Sequence, residues 1–343
     1  MLTERQLIIL QVIIDDFIET AHPIGSRALS KKEYLPYSAA TIRNEMADLE
    51  DLGFLEKTHT SSGRIPSEKG YRYYVDHLIG PVMNQHEAGI LRNYTDGEFF
   101  EFEQVVQMTA EVLSELTNYT SIILGPEMFE STLKQIQVLT LSDHTAVAIL
   151  VTSTGHVEHR SFALPKGIAS SDLEKLVNIL NDRLRGVPII RLGEVISSEV
   201  VQLMRRYIVD SEASFDLLRA FFMNEHPVKL YFGGKSNILM QPEFNDVDKI
   251  RSFYALIEQE DEIANLLKNT HHGIKVSIGN ENEVEAIKDL SLITASYHVG
   301  ENLMGTIALL GPTRMEYKKV ISLMKGISDE MTNTLDKWYK RDS

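Results

Sequence analysis

The opening stretch of the chain repeats its apolar residues with a helical period. Leu7, Leu10, Ile14 and Phe17 fall on one face, and Thr3 with Gln6 has the form of a capping box at the start. Seven of the eight residues from Leu7 to Ile14 are apolar, so this helix is expected to pack against more than one neighbour. His22-Pro23-Ile24-Gly25 ends it. Ser26 is placed to cap a short second helix over Arg27–Lys32. Pro36 breaks the chain, and Ser38 can cap a third helix that stops at Gly53. On that third helix Ala39, Ile42, Met46 and Leu49 share a face. Asn44 lies opposite, with Tyr37, Ala40, Thr41 and Asp48 within its reach and Arg43 on the flank. Phe54–Lys57 then reads as a strand, His59–Gly63 as a turn and Arg64–Pro66 as the returning strand. A fourth helix follows with Tyr71, Tyr74, Val75 and Leu78 as its apolar stripe. Three helices and a hairpin have the order of a winged helix-turn-helix.

Beyond residue 80 the pattern is mixed. Gly80-Pro81, Asn93 and Asp96-Gly97 mark 81–100 as a linker. A helix is expected over Glu101–Thr117. Gln135–Val138 alternates, Ala146–Val151 is a continuous apolar run suited to a buried strand, and Thr154-Gly155 turns into His156–Arg160 to make a meander. Ser171 and Glu174 can cap a helix carrying Leu173, Leu176, Val177, Leu180 and Leu184, which Gly186 and Pro188 end. Helices are expected at 198–209, 212–224 and 246–268, with a hairpin of Lys229–Phe232 and Asn237–Met240 between the last two. Strand signals return after Gly273 in Ile274–Ile278, Ile293–Val299 and Gly305–Leu310. Thr313 with Glu316 can cap a last helix carrying Met324, Met331, Leu335 and Trp338. Two strand-rich blocks around a helical one fit either an inserted domain or a single continuous α+β chain.

The 343 residues are enough for two or three domains. No apolar run approaches the length of a membrane span, and the N-terminus has no secretory leader pattern. The chain has no cysteine, which excludes disulfides and thiolate chemistry and fits a cytoplasmic location. With 34 basic and 49 acidic residues the net charge is −15, which argues against a protein coated by nucleic acid. The first 80 residues are nearly balanced, and 57–75 hold Lys57, Arg64, Lys69 and Arg72 against Glu68 alone. A nucleic-acid surface is therefore expected to be small and N-terminal.

Catalytic and cofactor patterns are weak. Gly233-Gly234-Lys235-Ser236 ends like a phosphate loop, but Lys229 stands where the pattern needs glycine, so a hairpin turn is expected. His156 and His159 would point to opposite faces of a strand, and His271-His272 has no third ligand. No cofactor, metal or enzymatic activity is expected. The small and polar start of the third helix is different. It could enter a major groove, where Asn44 can pair with adenine and Arg43 with guanine; the same face could bind protein instead.

ATIRNEMADLEDLGFLEKTHT (40–60) and SSGRIPSEKGYRYYVD (61–76) resemble the HrcA family of bacterial heat-inducible transcription repressors. The resemblance continues through LPKGIAS (164–170), YFGGKSNILMQPEF (231–244) and GTIALLGPTRMEY (305–317). It implies an α+β multidomain protein: a winged-helix domain at 1–80, a linker at 81–100, a GAF-like domain at 101–169 and 266–343, and a mostly helical dimerisation domain inserted at 170–265. It implies a homodimer that binds an inverted-repeat operator of chaperone operons in double-stranded DNA, with the GroEL chaperonin as a partner and no membrane. The DNA-contact set read on that basis is Ser38, Thr41, Arg43, Asn44, Lys57, Arg64, Lys69 and Arg72. Leu217, Leu218, Phe221 and Phe222, in adjacent pairs, are candidates for the dimer contact. A ligand-sensing regulator using a GAF-like pocket is the alternative.

Overall fold

Thr3 accepts the Gln6 N–H and donates its own to the Gln6 side chain, so the capping box forms and opens α1 (Glu4–Thr20). Ile9, Leu10, Val12, Ile13 and Ile14 are all buried, as the broad apolar face requires. A computed structural model describes residues 2–58, 63–80, 102–125, 132–142, 144–153, 157–164, 170–200, 203, 229–268, 273–299 and 302–341. In chain order α1 is followed by α2 (Ser26–Leu29), α3 (Ala39–Asp51), the hairpin β1 (Leu55–Lys57) and β2 (Arg64–Pro66), and α4 (Glu68–Tyr73). The last runs on through a π-helical turn, Tyr74–Leu78. Next come α5 (Phe102–Thr117), β3 (Thr120–Leu124), β4 (Leu133–Ser142), β5 (Thr145–Thr152), β6 (Val157–Ala163), α6 (Ser170–Leu184) and α7 (Leu192–Val195). The remainder is β7 (Leu230–Gly233), α8 (Val247–Glu258), α9 (Glu260–Lys268), β8 (Ile274–Ile278), β9 (Leu290–Val299), β10 (Asn302–Pro312) and α10 (Tyr317–Arg341).

The chain divides into two units, Met1–Gly125 with Leu230–Trp338, and Pro126–Lys229 with Tyr339–Ser343. In the first, β7-β3-β10-β9-β8 form an antiparallel sheet. One face carries Ile123, Ile293, Ala295, Tyr297, Ile307 and Leu309, packed in one cluster with Val106, Ala110 and Leu113 of α5 and with Val320, Leu323, Met324, Ile327 and Met331 of α10. The other face carries Ile122, Ala308 and Leu310, and there the Thr306 hydroxyl donates to the Leu267 carbonyl of α9. The first face's cluster continues without a break into α1, α3 and α4.

In the second unit β4-β5-β6 form a meander. Ile136, Ala146, Ala148, Leu150 and Phe162 share a buried cluster with Leu173, Leu176, Leu180 and Leu184 of α6. The division therefore differs from the one read in the sequence. The meander packs with the helix that follows it, and 230–268 packs with the five-stranded sheet. The apolar run 146–151 is buried only at alternate residues. Val147, Ile149 and Val151 are half-buried on the side facing away from α6, where Leu139 and Val157 are exposed.

Four local expectations change. Gly25, not Ser26, precedes α2, and no side chain caps it. Asn237–Met240 is a 3₁₀ turn rather than a strand, and β7 pairs with β3 instead. Gly234, at φ +61°, turns the chain, and the Asn237 amide donates to the carbonyl of Tyr119 (3.2 Å). Residues 246–268 break at Gln259. On one continuous helix Ile257 and Ile263 would lie some 120° apart, and the break turns both inward. The last helix starts at Tyr317, whose hydroxyl donates to the Thr313 carbonyl (2.6 Å).

Candidate nucleic-acid interface

Ser38 caps α3 by accepting the Thr41 N–H (3.1 Å), and its hydroxyl also lies 2.9 Å from the Thr41 hydroxyl. Ile42, Met46 and Leu49 face the core. Glu45 does too, and is only 6% exposed. Burial of that carboxylate is balanced by Arg5 of α1, whose Nε donates to it at 2.6 Å. This pairing of α1 with α3 has no signature in the local sequence. The opposite side of α3 carries Ala40, Arg43 and Asn44, all exposed, and the half-buried Ala47. These positions are i, i+3, i+4 and i+7, a single stripe on the first half of the helix. Arg43 and Asn44 make no hydrogen bond or ion pair with a described residue. Asp48 and Asp51 make the second half of the exposed side acidic. The N-terminal half is thus the end suited to an anionic partner, and the helix dipole adds to it.

The four cations after α3 have different fates. Lys57, at the end of β1, is exposed. Arg64 is not a free wing cation: its Nε donates to Glu50 of α3 at 2.6 Å, and its side chain is 14% exposed. Its backbone exchanges both hydrogen bonds with Ile24, at 3.2 and 3.0 Å. Arg64 therefore ties the hairpin to α3 and to the segment before α2. Lys69 donates to the Leu52 carbonyl (2.7 Å) and sits over the Phe54 ring (4.7 Å), satisfying the C-terminal end of α3. Its side chain is otherwise exposed.

The Arg72 side chain is 28% exposed and is engaged by partners on two elements. It donates to Glu281 (2.8 Å), Asp76 (3.1 Å) and the Val276 carbonyl (2.7 Å). Glu281 also accepts the Ile278 N–H (2.9 Å). Burial raises the Glu281 carboxyl, but Arg72 and that N–H outweigh it and hold the group below its ordinary range. Arg72 is therefore held in an ion pair with residues of its own unit.

Two exposed cations escaped the sequence reading. Arg27 on α2 and Lys31 just after it are exposed, and α2 packs on α3. The signal was available as Arg27, Lys31 and Lys32 in close succession; only Lys32 is engaged, by Asp16. Leu217, Leu218, Phe221 and Phe222 lie outside the described residues, as do the linker 81–100 and His271-His272. No group of three or more metal-binding side chains occurs among the described residues. Among them, too, no helix is long and apolar enough to cross a membrane.

Residues 103–321 match the family model of the HrcA protein C-terminal domain. The chain is 95% identical over 343 residues to the heat-inducible transcription repressor HrcA of Oceanobacillus iheyensis, covering 100% of both chains. The chain belongs to the HrcA family. It is also 51% identical over 341 residues to the repressor of the same name from Bacillus pumilus, covering 99% of each. A crystal structure of a hypothetical protein, solved at 2.2 Å, is 20% identical. It superposes with a TM-score of 0.69 over 98% of this chain and 100% of that one, a likeness of fold. Family membership makes this protein a heat-shock transcription repressor and a regulator, not an enzyme.

Proposed function

We propose that residues 1–80 form a winged helix-turn-helix and that α3 reads an inverted-repeat operator of chaperone genes from the major groove. The observation that carries this reading is the exposed stripe Ala40, Arg43, Asn44 and Ala47. Small residues let the helix approach the bases, and the two polar side chains have no partner among the described residues. Thr41 and the Ser38 end of the helix stand beside a phosphate, and Lys57, Arg27 and Lys31 supply backbone charge. Lys69 remains a phosphate contact with its outward N–H groups.

An inverted repeat calls for two-fold symmetry in the protein, hence a homodimer. The outer face of the β4–β6 meander supports a contact in the inserted unit, because Leu139 and Val157 are both more than half exposed there. The family resemblance supports the GroEL chaperonin as a partner and a cytoplasmic setting. Ligand sensing gains nothing from the described sheet, whose α5–α10 face is filled by apolar side chains and Tyr297.

A gel-shift titration on a chaperone promoter, with the repeat intact and scrambled, tests this function. Tight binding that needs the intact repeat is expected, and equal binding to both would overturn it. The same titration separates the cations. Lys57→Ala is expected to lower the slope of log K against log salt by about one unit, because one phosphate contact is lost. Arg64→Gln is expected to leave that slope unchanged. A drop with Arg64→Gln would mean that its guanidinium leaves Glu50 for DNA.

A further inference from the structure

We infer that α4 is a positioning helix: Glu68 and Arg72 grip the 276–281 turn and so fix the reading helix relative to the five-stranded sheet. The inference rests on the DNA reading above and adds how the two reading helices acquire a defined spacing.

The first half of the argument is the junction between α3 and α4. The three carbonyls that follow α3 are all held by the start of α4. Leu52 accepts from Lys69 (2.7 Å), Gly53 from the Ser67 hydroxyl (2.6 Å), and Phe54 from the Ser67 N–H (3.1 Å). Ser67 also caps α4 by accepting the Gly70 N–H (3.0 Å). Movement of α4 therefore carries α3 with it.

The second half is the grip on the sheet. Glu68 and Arg72 are i and i+4, so they share one face of α4. The Glu68 carboxylate accepts the Asn280 N–H and side-chain amide, each at 3.2 Å, and lies against Gly279. Gly279 is at φ +55°, and a Cβ there would overlap that carboxylate. Arg72 closes the other side through Glu281 and the Val276 carbonyl. Between them Tyr71 is buried, with its ring centroid 5.9 Å from that of Tyr317 on α10. These partners lie more than 200 residues apart in sequence, and all belong to one compact unit. The grip engages α4 and leaves Arg43 and Asn44 exposed, so it presents the reading face and does not occlude it.

A dimer with fixed reading helices binds its second half-site at a high effective concentration; a loosened joint lowers that concentration without touching either half-site. The test uses the full chain on three duplexes: the intact repeat, a single half repeat, and a repeat lengthened by about half a helical turn. Arg72→Ala and Glu68→Ala are expected to weaken binding to the intact repeat by about 10-fold or more, to leave half-repeat binding within about 2-fold, and to narrow the preference for native spacing. Glu281→Gln, which keeps the shape and removes the charge, is expected to do the same more mildly and covers the case in which an alanine variant does not fold. Unchanged binding to the intact repeat in a folded variant would overturn the proposal. An equal loss on the half repeat would also overturn it, since Arg72 would then be touching DNA. Asn44→Ala serves as the parallel arm. If it too leaves half-repeat binding unchanged, it is the DNA reading of α3 that fails.

Discussion

Gly70→Ala is expected to lower the free energy of unfolding by about 2–3 kcal/mol. Helix propensity alone gives the opposite sign, because alanine is favoured over glycine inside a helix by about 1 kcal/mol. The packing decides. A Cβ at position 70 would overlap the Phe54 carbonyl oxygen, which is backbone and is already held by the Ser67 N–H. Relief requires α4 to move off the hairpin, and that movement strains the Ser67 and Lys69 bonds at the end of α3. Urea denaturation of the full chain checks it. A variant as stable as the parent would show that α4 and the hairpin are not in close contact at this point.

Asn282→Ala is expected to cost about 2–4 kcal/mol, as the Ile287 and Leu290 carbonyls lose their side-chain donor. Asn282 is 4% exposed, and the two N–H groups of its side-chain amide serve three carbonyls, those of Ile287 (3.1 Å), Leu290 (2.8 Å) and Gly279 (2.9 Å), the last of which also accepts the Asn282 backbone N–H (3.1 Å). It is the post around which the 279–290 segment folds, and it stands next to Glu281, which pairs with Arg72. Asn282→Asp keeps the volume but replaces the donor by a carboxylate facing carbonyl oxygens, so it is expected to cost more than alanine. Thermal unfolding of the two variants gives the order. An aspartate variant as stable as the parent would contradict this account of the turn.

The sequence made the local features legible. The period of α1 and α3, the Ser38 cap, the hairpin and the outward side of Asn44 all follow from neighbours within a few residues, and the structure has them. The pairings of the cations were not legible. Glu50 is 14 residues from Arg64 and Glu281 is 209 from Arg72, and nothing in the segment around a charge names a partner at that distance. A cluster of basic residues therefore reads as a DNA surface whether its members point outward or inward. The second strand expected at 237–240 failed for a related reason. The alternation in β7 is real, but its partner is β3, more than a hundred residues earlier. A strand's period is the same in either domain; what groups β4–β6 is their packing against α6. The continuous apolar run of β5 suggested burial on both faces, whereas its outward residues are apolar and half-buried.

The claim that α3 reads bases is tested most directly by the ratio of operator to unrelated-duplex affinity in Asn44→Ala. Asn44 is exposed and has no internal partner among the described residues, so its removal leaves the fold's hydrogen bonds intact. The account predicts that operator binding weakens by about 1–3 kcal/mol while binding to unrelated DNA at the same salt concentration is unchanged, so the ratio falls about 5- to 150-fold. An unchanged ratio, in a variant that unfolds at the same temperature as the parent, would contradict it.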